Sequence, residues 1–223
     1  MAALTIKESH SLATESQDLL AALAQLEWGT DFYLAGSAAL ALYLSHRPVR
    51  DLDLMSQVQR LRSIERRDLL QDLLQLDADT RVETARDGFL YVRLAGGVGL
   101  RLYYYPYPLI DAEQVAGDMA VASPVDLGLM KLGAVISRGT RRDFVDLFLL
   151  SQEIPLPTLL NRSRDKFGHV SDFPLQALKG LADLSQIEGE PLPKLTSPVE
   201  WEEVERWLQH EVRALGRQQV GLN

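Results

Sequence analysis

The sequence predicts an α+β protein, with a mixed sheet and flanking helices in residues 1–121 and a helical domain in residues 122–223. Alternating polar and apolar residues typical of strands are concentrated in the first part, for example at 51–55 and 100–105. In the second part, apolar residues recur at helical spacing behind capping motifs. The length of 223 residues is sufficient for two small domains.

The first domain is predicted to begin with an amphipathic helix over residues 11–27, whose leucines recur near a spacing of 3.6. A short strand at 32–34 precedes a Gly-Ser pair and an almost wholly apolar helix over 38–45. A helix rich in both charges follows over 61–76. Strands are further predicted at 51–55, 80–83, 89–94 and 100–105.

Three motifs mark helix starts in the second domain. Each places a capping Ser or Thr before an acid, and two of them have proline at the first helical position. These motifs begin at Ser123, Thr140 and Ser197, and the last one precedes an amphipathic helix.

Composition and charge exclude several classes of protein. The net charge is −8, and an acidic surface does not attract phosphate backbones, so a protein that coats DNA is disfavoured, although a local basic patch still permits RNA binding. The absence of cysteine excludes disulfide scaffolds, cysteine-ligated metals and a cysteine nucleophile. No apolar run approaches the roughly 18 residues of a membrane span. Residues 1–18 lack the layout of a signal peptide. We therefore expect a cytoplasmic protein without a membrane partner.

One group of residues in the first domain suggests a site for a nucleoside triphosphate and a metal. Gly36 and Ser37 stand between a strand and a helix, where backbone amides and a hydroxyl can face a phosphate. Asp51 and Asp53 are two apart on a predicted strand and therefore project from one face. Two such carboxylates suit a hard cation such as Mg²⁺ or Mn²⁺.

Each half of this pattern also has a purely structural interpretation. A Gly-Ser pair before a helix is usually only a cap, and an Asp-x-Asp strand is usually a solvated face. The combination is more specific, because the two features follow in this order with 14 residues from Ser37 to Asp51.

Charged residues inside apolar helical sequence form a second group. Lys131 and Arg138 are seven apart and share a helix face, and Asp146 lies in an otherwise apolar run over 144–150. A buried carboxylate without a partner is costly. Two interpretations stay open: an internal ion pair of Asp146 with Arg138 or Lys131, or a set of groups that line the nucleotide pocket.

These motifs resemble those of the AbiEii/AbiGii nucleotidyltransferase toxin family. The resemblance rests on Phe32–Leu42 followed by Arg50–Leu54, and on Met130–Ala134 followed by Arg138–Leu147. In the second stretch a lysine, an arginine and an Arg/Lys-Asp-x-x-Asp run recur as in the family. The similarity extends from about residue 30 to residue 215.

The resemblance implies a polymerase-beta-like nucleotidyltransferase fold and transfer of a nucleotide from an NTP to an acceptor, with release of pyrophosphate. It implies RNA such as tRNA as the acceptor, a cognate antitoxin, and a role in a toxin–antitoxin or phage-defence system. By position, Asp51 and Asp53 would bind the metal and Gly36 and Ser37 the triphosphate. Lys131 would contact the phosphates, with Arg138 as a further nucleotide-binding residue, and Asp146 would be an additional catalytic acid.

One feature departs from the pattern of many nucleotidyltransferases, which place a third carboxylate on a neighbouring strand. The corresponding strand here, Leu100–Tyr105, contains no acid. This departure favours an alternative in which the protein is a non-catalytic nucleotide- or partner-binding protein on the same fold. Lys131 and Asp146 favour the enzyme.

Overall fold

The computed structural model describes residues 4–7 and 11–219. It divides into two compact units, Met1–Ser123 and Pro124–Asn223, and each is described by itself. Residues 1–3 and 8–10 of the N-terminal segment, for which the sequence predicts no signal peptide, lie outside the described residues.

Unit 1 alternates helices and strands and ends in a hairpin. Its helices are α1 (Thr14–Ala24), α2 (Gly36–Leu44) and α3 (Ser63–Leu76). Its strands are β1 (Tyr33–Ala35), β2 (Leu52–Ser56), β3 (Arg81–Arg86), β4 (Phe89–Arg93), β5 (Gly99–Tyr104), β6 (Gln114–Ala116) and β7 (Met119–Val121).

The seven strands form one mixed sheet in the order β3-β4-β5-β2-β1-β7-β6. The pairs β2/β5 and β1/β7 are parallel, and the remaining neighbours are antiparallel. In this register Asp53 lies opposite Ala35 on one side and Arg101 on the other. Strand β2 therefore lies in the middle of the sheet, with Ala35, the residue before α2, on one side of Asp53 and strand β5 on the other.

The core explains why β2 and α2 form as predicted. In β2, Leu52, Leu54 and Ser56 are buried while Asp53 and Met55 are half-buried, which is the expected alternation. Helix α2 packs on β1 and β2, and six consecutive residues of it, 38–43, are buried. Burial on all sides suits an apolar helix without an amphipathic face.

The prediction of a mixed sheet with flanking helices is confirmed, but the hairpin β6–β7 was not predicted. Each of its strands has three residues, so alternation of polar and apolar residues had too little length to be recognised. The parallel pairing of β7 with β1 adds this hairpin to the edge of the sheet.

Unit 2 is helical, with α4 (Pro124–Arg138), α5 (Arg141–Ser151), α6 (Leu156–Phe167), α7 (Phe173–Ala182) and α8 (Trp201–Gln219). The capping box predicted at Thr140 is present, since Asp143 accepts a hydrogen bond from the Thr140 amide at 3.0 Å. Helix α8 begins at Trp201, later than the motif at Ser197 predicts. Trp201 is buried and packs edge-on against Phe144, so tertiary packing sets this start.

No helix within the described residues is both long enough and apolar enough to cross a lipid bilayer.

Candidate active site

Two carboxylates lie side by side on the half-exposed face of unit 1. Asp51 immediately precedes β2 and Asp53 is its second residue, so both project from the same face of the sheet. The amide of Gly99 donates a hydrogen bond to Asp51 Oδ1 at 3.0 Å. The spacing of two residues on a strand thus produces the pair that the sequence predicted.

Arg101 on β5 binds both carboxylates. Its Nη2 lies 2.9 Å from Asp51 Oδ2, and its Nη1 lies 3.4 Å from Asp53 Oδ1. Burial lowers the pKa of Arg101, but the negative charges of Asp53 and Asp51 outweigh that effect and raise the pKa above its ordinary value. The guanidinium is therefore charged at neutral pH.

The start of α2 lies next to Asp53. Helix α2 begins at Gly36, which has a φ of +61°, and Gly36 and Ser37 are both half-buried. A side-chain carbon at Gly36 would lie 2.3 Å from Asp53 Oδ2. Only glycine therefore allows the helix start and the carboxylate to approach this closely.

The carboxylate pair fits a divalent cation. A side-chain carbon at Gly99 would lie 2.8 Å from Asp51 Oδ1, so glycine here, as at position 36, allows a carboxylate to lie close to the backbone. Carboxylate oxygens are the ligands that Mg²⁺ prefers, and this ion is commonly held by one or two carboxylates together with substrate phosphates. No group of three or more acidic or histidine side chains that could hold a metal occurs in the part of the chain that the structure describes.

Unit 2 contains a second cation between two acids. Lys131 Nζ on α4 lies 2.8 Å from Asp143 Oδ1 and 2.7 Å from Asp146 Oδ2, both on α5. Because the acids are three residues apart, they lie on one side of α5. Asp146 is fully buried, so α4 and α5 are joined by a buried ion triad.

The pKa shifts in this triad have clear physical causes. Burial lowers the pKa of Lys131, but Asp146 and Asp143 overcome that effect and raise it above the ordinary value. Burial raises the pKa of Asp143, but Lys131 and hydrogen bonds from Thr140 more than compensate and lower it. The charged forms of Lys131 and Asp143 are thereby favoured at neutral pH.

Of the two cations that the sequence left open as partners of Asp146, the structure pairs Asp146 with Lys131. Arg138, the last residue of α4, is exposed. The nucleotide contacts predicted for Lys131 and Arg138, and the catalytic role predicted for Asp146, stay predictions. An ion pair in the free protein is compatible with them.

The sequence does not predict the contacts that Arg101 and Asp143 make in these clusters. It places Arg101 in a strand without an acid, and Asp143 in the Arg-Asp-x-x-Asp run and in the capping motif that begins at Thr140. Alternation in Leu100-Arg101-Leu102 does predict that the Arg101 side chain projects from the face of the sheet opposite to that of the two leucines. Its neighbour across the sheet depends on strand order and register, which the sequence does not display.

Comparison with known proteins places these features in a family. The family model described as nucleotidyl transferase AbiEii toxin, type IV toxin–antitoxin system, matches residues 18–214. An uncharacterized protein of Aquifex aeolicus (strain VF5) is 27% identical over 212 residues, which cover 91% of this chain and 96% of that protein.

Two solved structures from Helicobacter pylori have a similar fold. The crystal structure of JHP933 has a TM-score of 0.54 at 19% identity and covers 96% of this chain and 98% of its own. That of a candidate nucleotidyltransferase has a TM-score of 0.55 at 17% identity and covers 95% and 99%. The predicted nucleotidyltransferase fold is confirmed.

Proposed function

The chain belongs to the AbiEii nucleotidyltransferase toxin family of type IV toxin–antitoxin systems, and we propose that it transfers a nucleotide from an NTP to tRNA with the help of a divalent cation. Nucleotidyl transfer follows from family membership. The acceptor, the cation and the residues in the reaction are the parts proposed here.

The observation that carries the proposal is the contact between the start of α2 and Asp53. The first amides of a helix attract phosphate because they lack partners within the helix and lie at the positive end of its dipole. Asp51 and Asp53 add a place for a hard cation next to that anion site. A triphosphate with its bound metal combines both charges and matches both parts.

The carboxylates of Asp51 and Asp53 would hold Mg²⁺ or Mn²⁺. When bound, such an ion supplies positive charge to triphosphate oxygens and so stabilises the charge that develops during transfer. Gly36 and Ser37 would position the phosphates through the helix start and the Ser37 hydroxyl. Together, the two carboxylates, the helix start and the Ser37 hydroxyl would orient the α-phosphorus towards the acceptor.

In the proposed reaction an acceptor hydroxyl oxygen attacks the α-phosphorus of the NTP. The bond between the α-phosphorus and the oxygen that bridges it to the β-phosphorus breaks, and pyrophosphate is released. We propose the 3′ end of a tRNA as the acceptor, since the sequence resembles a family in which tRNA ends are acceptors. A cognate antitoxin would counteract the toxicity. NTPs and tRNA are cytoplasmic, which supports a cytoplasmic site of action.

The test is incubation of the protein with Mg²⁺, total RNA and each α-labelled NTP in turn. We expect one NTP to label RNA of tRNA size and to release pyrophosphate. The control is the same RNA after periodate oxidation, which destroys the 3′ diol that accepts the nucleotide. This oxidised RNA should stay unlabelled.

Other results would redirect the proposal. Label on protein instead of RNA would contradict the tRNA acceptor while leaving transfer intact. Nucleotide binding without label on any acceptor would favour the non-catalytic binding protein. Equal transfer with and without a chelator such as EDTA would contradict the role of a divalent cation at Asp51 and Asp53.

A further inference from the structure

Arg101 occupies the middle of the carboxylate pair in unit 1. Its two terminal nitrogens contact the two acids separately, at 2.9 Å from Asp51 and 3.4 Å from Asp53. The contacted atoms are Asp51 Oδ2 and Asp53 Oδ1, while the second oxygen of Asp51 accepts a hydrogen bond from the Gly99 amide. A metal ion bound by both acids therefore lies next to the guanidinium and is repelled by its positive charge, whichever carboxylate oxygens it uses.

The sheet holds Arg101 in this place from both sides. On one side Asp53 is its partner in the parallel pair β2/β5, and on the other Tyr91 is its partner in the antiparallel pair β4/β5. The guanidinium carbon lies 4.6 Å from the centre of the Tyr91 ring, within the range of a cation–π contact. The strand register and the contact with Tyr91 thus keep the guanidinium beside the two acids.

The net charge of Arg101, Asp51 and Asp53 determines how strongly this group of side chains attracts a divalent cation. Two carboxylates alone carry a charge of about −2 and attract a free divalent cation, whereas the guanidinium reduces the net charge of the group to about −1. Two divalent cations would bring four positive charges to the same three side chains. A triphosphate reverses the balance, since its phosphates add several negative charges beside the acids.

We propose that Arg101 serves as a permanent cation of the site, which keeps free divalent cations out and limits the site to one metal ion that binds together with the nucleotide. The inference rests on the proposed function, because it assumes that Asp51 and Asp53 receive a metal–nucleotide complex. Arg101 is a residue that determines metal stoichiometry and the order of binding.

Mn²⁺ binding measured by electron paramagnetic resonance tests the proposal without relying on activity. The wild type is titrated with Mn²⁺ alone and with Mn²⁺ plus an NTP analogue whose α,β-bridging oxygen is replaced by methylene. We expect weak binding of Mn²⁺ alone and one protein-bound Mn²⁺ per bound analogue. Arg101→Gln should bind Mn²⁺ alone at least about tenfold more tightly, because the competing charge is gone.

Two further variants isolate the cause. Arg101→Lys keeps the positive charge and should keep Mn²⁺ binding weak. Arg86→Gln is the matched control, because Arg86 also lies over an aromatic ring of β4, that of Phe89 at 5.2 Å. It should leave Mn²⁺ binding at the wild-type level. Circular dichroism and a thermal melt of each variant establish that it is folded.

Unchanged Mn²⁺ affinity in Arg101→Gln, or equal behaviour of the Gln and Lys variants, would overturn the role of Arg101 while the proposed function stands. Two Mn²⁺ ions per bound analogue in the wild type would also overturn it, and this result decides the question even if Arg101→Gln fails to fold. Failure of the wild type to bind the analogue at all would contradict the proposed function itself.

Discussion

Each of the two units contains one cation between two carboxylates, and the two clusters differ in exposure to solvent. In unit 1 the side chains of Arg101, Asp51 and Asp53 are 27%, 37% and 22% exposed. In unit 2 those of Lys131, Asp143 and Asp146 are 9%, 13% and 0% exposed. The same set of charges thus occurs once at a half-open surface and once in a core.

The difference in exposure between the two clusters predicts different roles, namely ligand binding for the half-exposed cluster and folding stability for the buried one. A half-exposed ion pair contributes little to stability, because water and salt compete with it, and for the same reason an incoming ligand can replace its contacts. A buried pair is costly to break, since removal of one partner leaves a charge in a medium of low dielectric constant. We therefore expect loss of a charge from the Arg101 cluster of unit 1 to affect ligand binding more than stability, and loss of a charge from the Lys131 cluster of unit 2 to affect stability.

The largest effect is expected for Asp53→Asn. Loss of one negative charge from the metal-binding pair should reduce transfer on the order of a thousandfold, equivalent to about 4 kcal/mol. The thermal stability should change little, because Asp53 is half-exposed and Arg101 keeps its contact with Asp51. Transfer to RNA and the melting temperature are the measurements.

The matched control for Asp53→Asn is Glu83→Gln, which removes an exposed acid from β3 of the same sheet. It should retain wild-type transfer. Wild-type transfer by Asp53→Asn would contradict the assignment of the metal to this pair.

A large loss of stability is expected for Asp146→Asn in unit 2. Lys131 would stay buried with one charged partner instead of two, so the free energy of unfolding should fall by about 3 kcal/mol, the lower end for a broken buried pair. Asp51→Asn provides the comparison and should cost less than about 1 kcal/mol, because its side chain is half-exposed. Urea unfolding of both variants without ligand measures the difference.

Similar unfolding free energies for Asp146→Asn and Asp51→Asn would remove the distinction between the clusters. A gain in stability for Asp146→Asn would indicate that the carboxylates repel each other in the free protein, which is expected of a pocket wall rather than of an ion pair with Lys131.

Gly36→Ala should have an intermediate effect, and Gly117→Ala is its matched control. Both glycines have a φ near +60°, so alanine is strained at both by about 1–2 kcal/mol. A side-chain carbon meets nothing within 4 Å at Gly117, but at Gly36 it would lie 2.3 Å from Asp53 Oδ2. Gly36→Ala should therefore cost more and should also weaken binding of the Mn²⁺–nucleotide complex.

Equal losses of stability and unchanged nucleotide binding in both glycine variants would show that the close approach of α2 to Asp53 is not needed. Calorimetric titration with the methylene analogue and Mn²⁺ measures the binding.

Local patterns predicted the parts of both clusters that depend on one element. Asp51 and Asp53 share a face because side chains alternate along a strand, and the capping box of Thr140 and Asp143 depends on a spacing of three residues. The family motifs then predicted that these parts belong to a nucleotidyltransferase of the AbiEii family, and the match over residues 18–214 confirms this family.

Contacts between elements were beyond the same reasoning. Arg101 meets Asp51 and Asp53 only because β5 pairs with β2, two strands that are separated in sequence by β3 and β4. Likewise, the spacing of Asp146 left both Arg138 and Lys131 as candidate partners, and the packing of α4 on α5 decides for Lys131. Strand order and helix packing are set by the whole core, so no local motif contains them.

The smallest effect is expected in the acid limb of the stability curve and concerns Asp143. Its folded pKa is lowered, so unfolding releases the carboxylate to its ordinary, higher pKa. The resulting stabilisation is present above the unfolded value of about 3.9 and is lost as the pH falls through the lower folded value. Asp143→Asn should therefore flatten the fall in unfolding free energy at acid pH, measured by urea unfolding between about pH 5 and pH 2.5.

Thr140→Val, which removes one hydrogen bond to the Asp143 carboxylate, should flatten this fall less. Ser137→Ala removes only a hydroxyl that donates to backbone carbonyls of α4 and should leave the slope unchanged. A slope for Asp143→Asn that equals the wild-type slope would mean that the Asp143 carboxylate contributes nothing to acid stability, although it lies in the buried cluster.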